Sequence, residues 1–126
     1  MKPVRIFIFF IVLFGLMFAL FIVNKPHRDI GKESAMFKIK SDTLVSHFLR
    51  DETTASTKYL DQTIEVSGMV TEINMNFLTI DGEIYCKFDD KITIISLNTY
   101  VKVKGRCIGF DELLEQVKLD QCTLQN

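Results

Sequence analysis

Three cysteines, two histidines and a few paired acids are the residues of this 126-residue chain that could do chemistry, and their spacing leaves them little to do. A zinc site needs cysteine or histidine pairs a few residues apart, but Cys86, Cys107 and Cys122 contain no C-x-x-C. A catalytic thiol needs a nearby base, and the only histidines, His27 and His47, lie well upstream of every cysteine. The adjacent acids Asp89-Asp90 and Asp111-Glu112 read as solvated turn residues. No glycine-rich phosphate loop and no Ser/His/Asp set is present. The pattern therefore predicts no catalytic residues, no metal and no cofactor.

Two other groups carry the interest. Phe77, Tyr85 and Lys87 place aromatics beside a cation, a combination that can stack on a ligand or simply pack across strands. The three cysteines fall at inward-facing strand positions. They read either as small buried hydrophobes or, in an oxidising compartment, as a Cys107–Cys122 disulfide with Cys86 left free.

The elements that must position these residues follow from periodicity. After Asp61 the apolar period is two: Ile64, Val66, Gly68 and Val70 alternate with Glu65, Ser67 and Met69, a strand whose glycine suggests a bend or bulge. Asp81-Gly82 marks a hairpin. A two-residue loop there would split the apolar side chains between both faces. A three-residue loop, Asp81 to Glu83 with Gly82 left-handed, puts Leu78, Ile80, Ile84, Cys86 and Phe88 on one face, so the pattern selects it. Phe77, Thr79, Tyr85 and Lys87 then point outward.

Tyr100 to Gly109 and Val117 to Leu124 are two further strands, joined by a loop or helical turn over Asp111 to Gln116. The apolar stretch Lys91 to Leu97 fits no period. Upstream, Ser41-Asp42 opens one or two short helices over about 42–59, with Leu44, Val45, Phe48 and Leu49 on one face and a break near Asp51. The fold class expected is mainly β with N-terminal helices: a five-stranded OB-type Greek-key barrel behind one or two short helices and a transmembrane helix.

That last helix rests on Ile6 to Val23, eighteen residues without a charge, six of them Phe. With Val4 and Arg5 the stretch reaches about 30 Å as a helix, the thickness of a hydrocarbon core. A cleaved signal is the rival reading, but Phe18 to Val23 offers no small-x-small cleavage site, and no cysteine precedes Cys86 for lipid attachment. The expected organisation is an anchor over 1–23, a basic tether over 24–40 containing Pro26 and Gly31, and a head over 41–126. Their formal charges are +2, +3 and −6, which give the chain its net −1. Lys2 and Arg5 ahead of the span favour a cytoplasmic N-terminus and an extracytoplasmic head, periplasmic or at the cell surface.

Here the residues resemble a known family. Thr63-Ile64-Glu65-Val66-Ser67-Gly68-Met69-Val70, Cys86-Lys87-Phe88, Val101 to Gly109 and Val117 to Cys122 are similar to the tRNA_anti-like OB-fold family, small bacterial domains often carried behind a signal or membrane anchor. The resemblance implies an OB fold over roughly 42–126, and nucleic-acid binding only by fold analogy. The membrane-anchored haem chaperones share this layout but attach haem through a barrel histidine, and residues 60–126 contain none. With the head at −6, a polyanion is not the expected partner. The expectation is a single-pass, non-enzymatic binding module, held in the membrane by residues 4–23, for a protein, peptide or envelope ligand. Single-stranded nucleic-acid binding is the alternative.

Overall fold

The computed structural model describes residues 2–24 and 28–125, which leaves Lys25, Pro26 and His27 of the expected tether outside the described residues. Helix α1 spans Lys2–Val23 with no buried residue. Among the described residues it is the one helix long and apolar enough to cross a membrane. A short 3-10 turn, Ile30–Lys32, and strand β1, Phe37–Lys40, follow. Next come α2 (Ser41–Arg50) and α3 (Glu52–Tyr59), then β2 (Thr63–Ile73), β3 (Phe77–Ile80), β4 (Ile84–Lys87), β5 (Tyr100–Asp111) and β6 (Gln116–Gln125).

The hairpin register follows from its turn. Asp81 and Gly82 both take positive φ, at 51° and 68°. Ile80 then pairs with Ile84 and Leu78 with Cys86. That is the three-residue loop selected by the apolar pattern, and Leu78, Ile80, Ile84, Cys86 and Phe88 are all buried.

The strands run in the order β1-β2-β3-β4-β6-β5, and β2 also pairs with β5. Strands β2 to β6 therefore close a five-stranded barrel, with the parallel β4–β6 contact bridging the two halves of the chain. Closure needs strong curvature, supplied by irregularities at Thr71 in β2 and at two points of the β5–β6 ladder. Gly68, expected to mark the bend, serves a different purpose. A Cβ there would run into the Asp81 carboxylate and the Ile80 side chain, so glycine is required for close approach rather than for the bulge.

Inside the barrel Val66, Val70, Val103, Val117 and Leu119 meet the hairpin residues, and each fully buried aliphatic side chain contributes roughly 1.5–3 kcal/mol. Helices α2 and α3 add Leu44, Val45, Phe48, Ala55 and Tyr59 to the same core. Phe48 stacks on Phe110 with ring centroids 5.2 Å apart. Leu49, expected on the apolar face of α2, is instead 54% exposed. Asp51 ends α2 and caps α3, its carboxylate accepting from the Thr54 amide at 3.2 Å.

The apolar stretch that fitted no period is a loop packed on the barrel. Residues 91–97 form no regular element: Ile92 and Ile95 pack against the core while Ile94 stays exposed. The Phe88 amide donates to the Asn76 carbonyl at 2.7 Å and the Ile92 amide to the Met75 carbonyl at 2.8 Å, which stitches this loop to the β2–β3 connection.

The tether is the larger correction, because its second half is part of the fold. Ile30 is fully buried, the Met36 amide donates to the Thr63 carbonyl, and β1 lies parallel beside β2, with Phe37 opposite Ile64 and Lys40 opposite Ser67. Arg28 donates to the Asp61 carbonyl at 2.7 Å and pairs with Glu33, whose carboxylate also accepts from the Thr63 hydroxyl at 2.6 Å. Lys104 donates to the Gly31 carbonyl.

Candidate functional site

The hairpin register carries Phe77, Thr79, Tyr85 and Lys87 onto the outer wall of β3 and β4. Phe77 faces Lys87 and Thr79 faces Tyr85, so the two aromatics sit on a diagonal. Their ring centroids are 5.0 Å apart with the planes inclined by 30°. Both rings are half-buried and Lys87 is exposed, whereas Thr79 is buried. The expected trio is thus gathered on one wall.

The parallel β4–β6 ladder adds a residue that the sequence reading passed over. Lys118 pairs with Tyr85, and its ammonium lies 5.9 Å from the Tyr85 ring centroid and 3.6 Å from the Asp111 carboxylate. The alternation of Val117 and Leu119 marks Lys118 as outward-facing. Only the non-local pairing shows which wall it joins.

Asp111 is held below the usual carboxylate range, first by the Leu114 amide, then by the Leu113 amide and by Lys118. It ties down the β5–β6 turn, at whose tip Leu113 is 95% exposed. The segments beside this wall are acidic. Asp89 and Asp90 come just after β4, past Phe88, and Glu112 and Glu115 lie in the β5–β6 turn. The Glu112 carboxylate stands beside Glu52 at the start of α3 and raises the Glu52 pKa. The wall can therefore offer an aromatic platform with two lysines, inside an acidic frame.

The cysteines are buried free thiols, and the Cys107–Cys122 bridge is not formed. The β5–β6 register sets Cys107 opposite Leu119, three positions from Cys122. Cys122 instead interacts with the Cys86 thiol on β4, and this contact together with burial raises its pKa. Gly105 makes room for it: a Cβ at that position would lie 2.6 Å from the Cys122 sulfur. Burial pushes the Cys107 thiol up to about 11. The His47 imidazole is engaged with the Tyr59 hydroxyl at 2.7 Å. Among the described residues no group of three or more His, Cys, Asp or Glu is arranged to hold a metal.

Comparison with known proteins adds family and fold. The sequence profile of the tRNA_anti-like family matches residues 1–123. No curated protein sequence matches the chain. Among solved structures, one from Klebsiella pneumoniae described as a "putative nucleic acid-binding lipoprotein" superposes with a TM-score of 0.55 at 10% identity, covering 81% of this chain and 100% of its own. At that identity the likeness is one of fold. A family profile matched over nearly the whole length, on a chain that closes a five-stranded barrel, makes this protein a member of the tRNA_anti-like family.

Proposed function

We propose that this chain is a membrane-tethered, non-enzymatic OB-type binding module whose β3–β4–β6 wall takes a protein or peptide ligand outside the cytoplasm. The observation that carries the reading is the Phe77–Tyr85 pair set within an acidic frame. An aromatic platform alone suits many ligands. Acids at Asp89, Asp90, Glu112 and Glu115 favour one that brings apolar groups and positive charge, and disfavour a polyanion. The long apolar α1 supports the tether.

A second reading, single-stranded nucleic-acid binding, draws on Lys87 and Lys118 beside stackable rings and on the nucleic-acid binding ascribed to the Klebsiella protein. Salt-dependent titration separates the two, because strand binders gain affinity by neutralising phosphates. Detergent-solubilised full-length protein should bind mixed-sequence single strands no tighter than about 10⁻⁵ M at physiological salt, weaker than specific readers achieve. A photo-crosslinking side chain at Phe77 should yield a discrete protein adduct in cells, and one at Ile94 should not. Micromolar strand binding that weakens with salt and is lost in Tyr85→Ala would install the second reading.

A further inference from the structure

We infer that the wall of the barrel formed by β1, β2 and β5 is a docking surface for the anionic phospholipid of the same bilayer that α1 enters, an inference that rests on the anchor reading above. The charges on this wall are set by register. Ile39, Val66 and Val103 turn toward the barrel, so the residues between them turn outward: Lys38 and Lys40 on β1, Glu65 and Ser67 on β2, Lys102 and Lys104 on β5. Lys38 lies opposite Glu65 and Lys40 opposite Ser67, while Lys104 and Lys102 meet the same two residues from the other side. Four lysines thus flank a single glutamate.

Among the described residues none of the four pairs with a carboxylate within 4.0 Å, and Lys104 spends one N–H on the neutral Gly31 carbonyl. That contact brings the 3-10 turn alongside, where the exposed Lys32 pairs with Asp29 at 3.6 Å. Tyr100 and Met69, paired with each other and both exposed, continue the wall, and tyrosine favours the bilayer interface. The wall ends at a cleft of about 400 Å³ where Asp42, Asp81 and Glu83 stand beside Lys40 and Tyr100. A head with an acidic total therefore carries one basic side.

Chain reach makes the bilayer the occupant. The helix persists to Asn24, whose amide bonds the Leu20 carbonyl, and Arg28 is already pinned to the head at Asp61. Four residue steps separate Asn24 from Arg28, at most about 15 Å when fully extended. Surface charge on a membrane acts over about 8 Å at physiological ionic strength, so the leash keeps the head within or near that layer. Lysines near an anionic surface are attracted to it, whereas the acidic segments elsewhere on the head are repelled.

The test is lysine acetylation by mass spectrometry on the full-length chain in lipid nanodiscs, comparing discs that contain phosphatidylglycerol with discs of phosphatidylcholine alone. Lys87, on β4 across the barrel, is the internal reference. Lys38, Lys40 and Lys102 should react about fivefold more slowly in the anionic discs, with high salt erasing the difference. The pair Lys38→Glu and Lys102→Glu should restore the rate at Lys40. Equal rates in both lipids on disc-bound protein would overturn the docking surface and leave the anchor standing. A chain that does not remain with the discs would remove the anchor and the docking surface together. Protection of the same lysines by an added single-stranded oligonucleotide in phosphatidylcholine discs would replace the lipid with a different polyanion.

Discussion

Cys107 and Cys122 hold their protons for different reasons. Burial alone disfavours the Cys107 thiolate, while Cys122 is held first by its contact with Cys86 and then by burial. Both resist alkylation for as long as the barrel stays closed, since the thiolate is the reactive form. Native protein near pH 8 should therefore take up no iodoacetamide, and protein unfolded without reductant should take up three equivalents, counted by mass spectrometry. A count of one after unfolding would show that two of the thiols are bridged, with Cys86 and Cys122 the neighbours. That all three face inward is legible from alternation along single strands. Which thiol meets which is not, because it depends on the parallel pairing of β4 with β6 across an intervening strand. The same distinction separates Phe77 and Tyr85, brought together by one local turn, from Lys118, which arrives by the non-local ladder.

At the scale of elements, the piece that periodicity missed is the docked stem. Phe37-Lys38-Ile39-Lys40 does alternate, but four residues are too few to stand out, and buried Ile30 sits in no periodic run at all. Glu33 fastens this segment. Its hydrogen bond with Arg28, reinforced by the Thr63 hydroxyl, lowers its pKa from about 4.5 to about 2. A carboxylate depressed by folding stabilises the docked form above its ordinary pKa, and that contribution fades as pH falls from about 4.5 toward 2. Hydrogen exchange, corrected for the intrinsic rate, should show protection at the Met36 amide lost near pH 3 while the β3–β4 hairpin keeps its own. Glu33→Gln should bring the same loosening at neutral pH. Full Met36 protection at pH 3 would mean that burial of Ile30 alone holds the stem. The α2–α3 break at Asp51 and the barrel strands were open to reading because each has its signal within a few residues. The closure of β2 on β5 is a property of the whole sheet, although the glycines and the strand count pointed to it.

For the whole molecule, the linear order of charges, a basic tether followed by an acidic head, does not survive folding as two separate bodies. The last part of the basic segment is woven onto the head, and β1 adds Lys38 and Lys40 to the side where β5 contributes Lys102 and Lys104. Architecture was legible because alternation, turn residues and an eighteen-residue apolar run each report on backbone state. Ligand identity was not, because it depends on which outward residues become neighbours. The parallel pairing of β1 with β2 has one more consequence. Strand β2 pairs with β3 only from Val70 onward, so over Ile64 to Ser67 it has β5 on one side and β1 on the other. A chain trimmed to begin at Ser41, the boundary that composition suggests, would bare a row of unpaired amides and carbonyls along that half. Such an exposed edge recruits a strand from another copy. In sedimentation the Ser41 version should self-associate as concentration rises, and a version beginning at Arg28 should stay monomeric. Self-association of both, or of neither, would show that β1 does not shield the edge. The four-residue strand just ahead of α2 thus acts as a guard against misassembly.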